Sequence, residues 1–240
     1  MPMPRFRYGD KTYEYSLHLL ATRKKTVSIH VLPDASVEVK APAHVTPKKI
    51  IEVIAKRARW VVRHIEQMQR HRALILPREY ISGETHFYLG RRYMLKVCKS
   101  DIDRVRLIRG SFLIECRKAN PEYVKALLEG WYKAHARQVF ERRLAVVAAD
   151  IEWLKQVPPI TVRNMRKQWG SCSSHGRVSL NWNLVKASVE CIDYVITHEL
   201  CHLQEHNHSK KFYALLERHA SNWKPVKTRL DGMAELLLNN

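Results

Sequence analysis

The segment 197–213 contains histidines at a spacing that suits metal binding. In a helix over about residues 190–205, His198 and His202 lie at positions i and i+4, so both imidazoles can reach one zinc ion. Glu199 follows the first histidine in an H-E-x-x-H pattern, which places its carboxylate beside the ion rather than on it. From there it can accept a proton from a metal-bound water whose pKa has been lowered to about 7. The spacing therefore predicts a catalytic zinc site with Glu199 as its general base.

A catalytic zinc ion needs a third protein ligand and one open position, and two histidines compete for the third place. In a continuous helix His206 would lie eight residues beyond His198, roughly 12 Å along the axis, which is too far to share an ion. Asn207 tolerates a helix-ending conformation, and Ser209 can cap a new helix. His208 then lies in the turn between two helices, from which it can reach the metal, and it is the better candidate.

Three other residues near the motif need a separate interpretation. Cys201 is one turn from the first histidine, and as a fourth ligand it would close the site and make the zinc structural. A single cysteine on a helix is more often a small buried hydrophobe. Cys172 and His175 could also resemble ligands, but three histidines already complete a catalytic set, so these two are predicted to support the site or the fold. The chain has five scattered cysteines, which predicts free thiols rather than disulfides.

Several motifs resemble those of the YgjP-like metal-dependent hydrolases, which are relatives of the SprT-like zinc metallopeptidases. The motifs are H-E-L-C-H at 198–202, N-H-S-K-K-F-Y at 207–213, R-K-Q-W-G-S-C-S-S at 166–174 and V-S-L-N-W at 178–182. The resemblance covers nearly the whole chain. It implies a minimal zincin core behind an amino-terminal domain, with His198, His202 and His208 as zinc ligands and Glu199 as the catalytic acid/base.

The same resemblance implies where a substrate binds. In zincins the strand nearest the metal is an exposed edge that pairs with an extended peptide. Val178 and Leu180 alternate with Ser179 and Asn181, which predicts a half-buried strand, although the alternation alone fits any edge strand. The resemblance thus implies that the backbone of residues 177–183 holds the substrate, with Ser179 and Asn181 as substrate-binding residues.

The amino-terminal part is predicted to be rich in β-strands with one helix. Apolar residues alternate with polar ones over residues 12–41, with a hairpin turn at Pro33-Asp34. Thr46-Pro47 provides a cap and a first helical residue, and the apolar spacing that follows predicts a helix to about Gln69.

The second half of the chain completes an α+β fold. Two hairpins are predicted over 87–97 and 105–114, after which Asn120-Pro121 breaks the strand pattern. The boundary is therefore predicted to separate a β-rich domain at residues 1–119 from a zincin-like domain at residues 120–240. In the second domain, helices are expected to pack on a small sheet, with H-E-x-x-H on the active-site helix.

Charge and composition indicate which partners and which cellular compartment to expect for the protein. Lys and Arg number 42 against 23 Asp and Glu, a net charge of +19, which predicts attraction to nucleic acid, nucleotide phosphates or acidic proteins. Basic residues on the helix at 47–70 could form an anion-binding ridge or only a solvated face. The amino terminus lacks an apolar signal segment, and no run approaches the roughly 18 apolar residues of a membrane span, which predicts a soluble cytoplasmic protein.

These features favour one function and leave two alternatives. The leading prediction is a zinc metallopeptidase that cleaves peptide bonds with a water molecule activated by Glu199. The first alternative is a metal-dependent nucleoside triphosphate pyrophosphohydrolase of the UTP type, which the basic charge would suit. The second is a nucleic-acid-associated adaptor whose zinc only stabilises the fold.

Overall fold

In the computed structural model, which describes residues 3–32, 35–74, 77–165, 168–173 and 175–238, the chain divides between Leu76 and Pro77. The unit before this division and the unit after it each have their own apolar core. Within the described residues, no helix combines the length and the apolar character that crossing a membrane requires.

The first unit is a β-rich structure with one long helix, as predicted. A hairpin is formed by β1 (Arg5–Tyr8) and β2 (Lys11–Glu14), and a three-stranded sheet has the order β3 (Ser16–Leu20), β5 (Val37–Pro42), β4 (Ser28–Val31). The helix α1 (Pro47–Leu74) begins where the sequence predicts, because the Thr46 hydroxyl accepts a hydrogen bond from the Lys49 backbone N–H at 3.4 Å. The turn predicted at Pro33-Asp34 lies outside the described residues.

Apolar residues on one face of α1 complete the core of this unit. Ile50, Ile54 and Val61 are almost fully buried, together with Val39 and Ala41 of β5. Ile54 lies four residues after Ile50, and Val61 lies seven after Ile54, so the helical periodicity that predicted the helix agrees with the packing.

The second unit begins with a four-stranded sheet. It has the order β6 (Thr85–Tyr88), β7 (Arg91–Lys99), β9 (Ser111–Cys116), β8 (Arg104–Ile108). Both predicted hairpins are confirmed, since β6 pairs with β7 and β8 with β9 in antiparallel register. In addition β7 and β9 pair in parallel, which joins the two hairpins into one sheet.

Helices and a smaller sheet complete the second unit. The sheet has the order β10 (Ile160–Arg163), β12 (Val178–Asn181), β11 (Gly170–Cys172). The helices are α2 (Pro121–Ala149), a 3-10 helix (Trp182–Lys186), α3 (Val189–Cys201), α4 (Lys210–His219) and α5 (Trp223–Leu238). The α+β class and the small sheet with helices packed on it are confirmed, because α2 and α3 both contact this sheet.

The division at Leu76 differs from the boundary predicted at residue 120. Phe112 of β9 packs edge-on against Tyr132 of α2, with 5.5 Å between ring centroids, and the Tyr132 hydroxyl donates to the Phe87 carbonyl at 2.7 Å. Both rings belong to the same core cluster as the buried residues of α3. The four-stranded sheet therefore shares its core with the carboxy-terminal helices, and Asn120 caps a helix within that unit.

Helix α3, which carries the H-E-x-x-H motif, is fixed on several sides. Ser188 caps its first turn by accepting from the Cys191 N–H. Arg143 of α2 makes two charge-assisted hydrogen bonds to Asp193, at 2.7 Å each. Its apolar face is buried, with Ile196 among the residues without exposed surface. The helix is thus held firmly enough to present its polar side chains in defined positions.

Candidate metal centre

The structure brings the three histidines predicted as ligands into one cluster. One ring nitrogen from each of His198, His202 and His208 lies within 4.8 Å of the other two. The Nε2 atoms of His198 and His208 are 3.0 Å apart, although ten residues separate them in the chain. Within the described part of the chain, His206 does not belong to a cluster of this kind.

The three imidazoles are in the state that metal binding requires. Burial lowers the pKa of His198 to about 3, and the neighbouring His202 and His208 add to the shift. Burial also lowers the pKa of His202 and of His208. All three rings are therefore neutral at pH 7, with lone pairs available for a cation.

The orientation of His202 is set by a backbone carbonyl. Its Nδ1 donates a hydrogen bond to the Glu205 carbonyl at 3.1 Å. The other ring nitrogen therefore carries the lone pair, in the tautomer that a metal ligand needs. A hydrogen bond of this kind commonly fixes the ring of a metal-ligating histidine.

The cluster forms because α3 ends earlier than the sequence suggested. The sequence predicts a helix to about residue 205, whereas α3 ends at Cys201 with His202 as its C-cap. The N–H groups of Leu203 and Gln204 bond to the carbonyls of Leu200 and Cys201, which tightens the last turn. The chain then reverses before α4.

The next helix supplies a ring that packs on all three histidines. Ser209 caps α4 as predicted and accepts from the Phe212 N–H at 3.3 Å. The fully buried Phe212 ring stacks on His202 at 4.6 Å and meets His198 and His208 edge-on, at 5.0 Å and 4.7 Å between centroids. The position of Phe212 in the sequence gave no sign of this contact.

Glu199 and the histidines line one cavity of about 640 Å³. Glu199 is 5% exposed, and burial raises the pKa of its carboxyl to about 8. A cation bound to the histidine cluster would act in the opposite direction and favour the carboxylate. The cavity is lined by Gln168, Trp169, Gly170, Ser171, Cys172, Tyr194, Val195, His198, Glu199, His202, His206, His208, Lys227, Leu230 and Asp231.

The sequence gave no indication that some of these residues line the cavity. Lys227, Leu230 and Asp231 come from α5, 25 to 29 residues beyond the end of the motif at His202, and no pattern in the sequence links them to it. Lys227 and Asp231 form an ion pair at i, i+4. Gly170 begins β11, the strand that forms one wall of the cavity, and Trp169 directly precedes it.

The prediction that residues 177–183 form an edge strand is wrong. β12 is the central strand of its sheet, because β10 pairs along one edge and β11 along the other. Ser179 and Asn181 are buried, at 7% and 0% exposure. The backbone of β12 is already paired with protein, so it has no free edge on which to hold a substrate.

Asn181 instead connects β12 to the segment that leads into β11. Its side-chain amide donates to the carbonyls of Met165 and Gln168, at 2.6 and 3.1 Å. Its side-chain oxygen accepts from the Asn183 N–H at 3.1 Å. The residue therefore has a structural role, because its side chain bonds to three backbone groups, of which the Asn183 N–H is buried.

The cysteines and histidine near the motif lie as follows. Cys201 is fully buried, and burial raises the pKa of its thiol to about 12, as expected for a small hydrophobe. Cys172 lies on the cavity wall, and burial raises its thiol pKa, with the charge of Glu199 adding to the shift. Among the described residues, none of Cys201, Cys172 and the exposed His175 belongs to the metal-binding cluster.

Comparison with known proteins adds independent information. A family model described as YgjP-like, metallopeptidase domain, matches residues 25–233. No curated protein sequence matches the chain.

Two solved structures of metallopeptidase zymogens are similar to part of the chain. Abylysin from Pyrococcus abyssi is 19% identical with a TM-score of 0.34, over 43% of this chain and 97% of that one. Jannalysin from Methanocaldococcus jannaschii is 22% identical with a TM-score of 0.32, over 42% of this chain and 96% of that one.

The cluster predicts unequal effects of histidine substitutions on metal content. His198→Ala, His202→Ala and His208→Ala should each lower bound zinc sharply, because each removes one of three nitrogen ligands. His206→Ala is the matched control and should leave zinc nearly unchanged. Metal analysis of the dialysed proteins measures this, and equal losses for the variants at 206 and 208 would refute the assignment.

Asn181 should affect stability rather than substrate binding. Asn181→Ala removes the side-chain partner of three backbone groups, and the buried Asn183 N–H alone, left unsatisfied, costs about 1–3 kcal/mol. Chemical denaturation should therefore show a large loss of unfolding free energy. If KM for a peptide rose while stability stayed at the wild-type value, Asn181 would be a substrate-binding residue after all.

Proposed function

The chain belongs to the YgjP-like metallopeptidase family, and from that premise we propose a zinc-dependent peptidase in which His198, His202 and His208 hold the ion and Glu199 is the general base. The family match confirms the resemblance found in the motifs and makes the chain a metal-dependent hydrolase that acts on peptides or proteins. The observation that carries the finer proposal is the convergence of three neutral imidazoles on one wall of the cavity that Glu199 also lines.

The donor set fits zinc. Three imidazole nitrogens are a common ligand set for a catalytic zinc ion, and they leave one position open. The Nε2 atoms of His198 and His208 face each other at 3.0 Å, and both rings are neutral, so at most one of the two atoms carries a proton. A shared cation in place of that proton satisfies the lone pairs of both rings.

Glu199 is placed for proton transfer beside this cluster. A bound zinc ion supplies a Lewis acid that polarises the scissile carbonyl and lowers the pKa of a water molecule. Glu199 accepts the proton from the attacking water and returns it to the leaving amine. Its burial keeps bulk water from competing for that proton, and it strengthens the electrostatic interactions of the carboxylate.

An extended substrate binds along β11 rather than along β12. In the part of the chain that the structure describes, β11 is an edge strand of the small sheet, and Gln168 to Cys172 line the cavity. An edge strand offers unpaired backbone N–H and C=O groups to a peptide. The resemblance implied that the substrate pairs with the backbone of residues 177–183. We place this pairing on the neighbouring strand β11 instead.

Peptide hydrolysis suits this cavity better than triphosphate hydrolysis. Among the described residues of its lining, Lys227 is the only lysine or arginine, and it is paired with Asp231. Sites that bind the phosphates of nucleoside triphosphates commonly present arginine or lysine side chains to them. Phosphate release from nucleoside triphosphates, measured alongside casein cleavage, separates the two reactions.

The role of Glu199 can be tested because the loss of a general base lowers turnover, whereas the loss of a metal ligand lowers metal content. Glu199→Gln keeps the size of the side chain and removes the proton acceptor, so turnover of casein or a reporter peptide should fall by about 10²–10⁴-fold. Zinc content and Tm should stay close to those of the wild type.

The control for this substitution is Glu190→Gln, which neutralises an exposed carboxylate at the start of the same helix. It should retain wild-type turnover. A Glu199→Gln protein as active as the wild type would end the proposal that Glu199 is the base.

A second function, the binding of single-stranded nucleic acid, is favoured by one surface of α1. This α1 basic surface consists of Lys56, Arg59, Trp60 and Arg63, which lie on one side of the helix at i, i+3, i+4 and i+7. The three basic residues are exposed, and Trp60 is 44% exposed between them. Surfaces that bind single-stranded nucleic acid commonly combine two features. Basic side chains contact the phosphates, and an aromatic ring between them stacks on a base.

Salt dependence tests this surface. Replacing Lys56, Arg59 and Arg63 by Gln should weaken binding to a single-stranded oligonucleotide, because each phosphate contact adds about 0.7 to the salt slope of log K. The slope should therefore fall by about 2 in fluorescence anisotropy titrations.

The matched control replaces Arg91, Lys96 and Arg104 by Gln, since these exposed residues of β7 and β8 give the same change of net charge. Equal losses in the two triple variants would show that only net charge matters. No binding by the wild type at low salt would exclude the function.

A further inference from the structure

Gly170 lies against the side chain of Glu199. A Cβ atom added to Gly170 would be 2.8 Å from the Glu199 Cγ, 2.8 Å from its Oε1 and 3.0 Å from its Cδ. Ordinary van der Waals contacts of a Cβ atom are 3.4–4 Å. The space that any other side chain would need at position 170 is therefore occupied by the carboxylate arm of Glu199.

The requirement for glycine here does not come from the backbone. Gly170 does not adopt the left-handed conformation found at Gly90 and Gly176, whose φ angles are +77° and +75°. It is a strand residue in regular antiparallel register with Leu180 of β12. The backbone at this position would accept any residue, so the constraint comes from the close approach of strand and helix.

Neither of the two elements can move away easily. β11 is paired with the central strand, and the Asn181 N–H donates to the Trp169 carbonyl at 2.8 Å immediately before it. Helix α3 is held by the ion pair between Arg143 and Asp193 and by its buried apolar face. The group that can yield to an added methyl is the Glu199 side chain itself, through a change of its χ angles.

We propose that Gly170 is a positioning residue for Glu199, and that the absence of a side chain on this strand lets the carboxylate lie between β11 and α3 in its reactive position. This inference rests on the proposed role of Glu199 as the general base. It gives a reason for a glycine at position 170 in the W-G-S-C segment. The lining of the cavity alone does not explain why this residue lacks a side chain. A displacement of about 1 Å in a reacting group costs roughly 10²-fold in rate.

The first experiment compares Gly170→Ala with Gly130→Ala. Gly130 lies in α2, and an added Cβ there meets no atom within 4 Å. Gly170→Ala should lower kcat for a reporter peptide by about 10- to 10²-fold, with zinc content kept and KM changed far less than kcat. Gly130→Ala should keep wild-type kcat. Wild-type kcat in Gly170→Ala would overturn the proposal.

The second experiment measures the contact without using activity. A double-mutant cycle combines Gly170→Ala with Glu199→Ala, and Tm is recorded for all four zinc-loaded proteins. Gly170→Ala should lower Tm by a few degrees in the wild-type background and have little effect when Glu199 is already Ala, because the three atoms nearest to the added Cβ all belong to that side chain. If Gly170→Ala alone does not fold, the double variant should still fold, because Glu199→Ala removes the side chain that the added methyl meets.

The two proposals fail in different ways. Equal losses of Tm in both backgrounds would show that the added methyl is opposed by something other than Glu199, and this would overturn the positioning role of Gly170. Full activity of Glu199→Gln would instead remove the general base on which that role depends.

Discussion

The end of helix α3 at Cys201 is the constraint on which the metal centre depends. In a continuous helix His208 would lie ten residues, or about 15 Å, beyond His198 along the axis. The tight turn after Cys201 and the start of α4 at Lys210 reverse the chain, so that the Nε2 atoms of these two histidines are 3.0 Å apart. The helix supplies two histidines at the right spacing, and its termination supplies the third.

Packing then holds these polar groups together, with Glu199 buried, His198 and His202 half-buried and His208 exposed. Phe212 contacts all three rings, and the Glu205 carbonyl fixes the tautomer of His202. Burial keeps the imidazoles neutral and raises the pKa of Glu199. A cation bound by the three imidazoles would also favour the charged form of Glu199, which burial disfavours.

Much of this arrangement could be predicted from local sequence signals. The caps at Thr46 and Ser209, the two hairpins and the apolar periodicity of α1 each depend on residues close together in the chain, and each is confirmed. The three-histidine cluster was also predictable, because a motif on one helix and a turn-forming segment just beyond it define its position.

What sequence could not reveal depends on contacts between distant segments. The alternation of residues 178–181 fits an edge strand and a central strand equally well, and only the pairing of β10 and β11 on both sides decides that β12 is central. The boundary at residue 76 could not be predicted for the same reason, since the core shared by Phe112 and Tyr132 joins a sheet and a helix from both sides of Asn120. The close approach of Gly170 to Glu199 is likewise a tertiary contact.

The central claim, that three imidazoles and no thiolate hold a catalytic zinc ion, is tested most directly by X-ray absorption at the zinc edge of the purified wild-type protein. The account predicts three histidine nitrogens at about 2.0–2.1 Å and one further light ligand in the open position, with no sulfur. A sulfur shell at about 2.3 Å would contradict it, because the thiolate of a cysteine would then close the site and make the zinc structural.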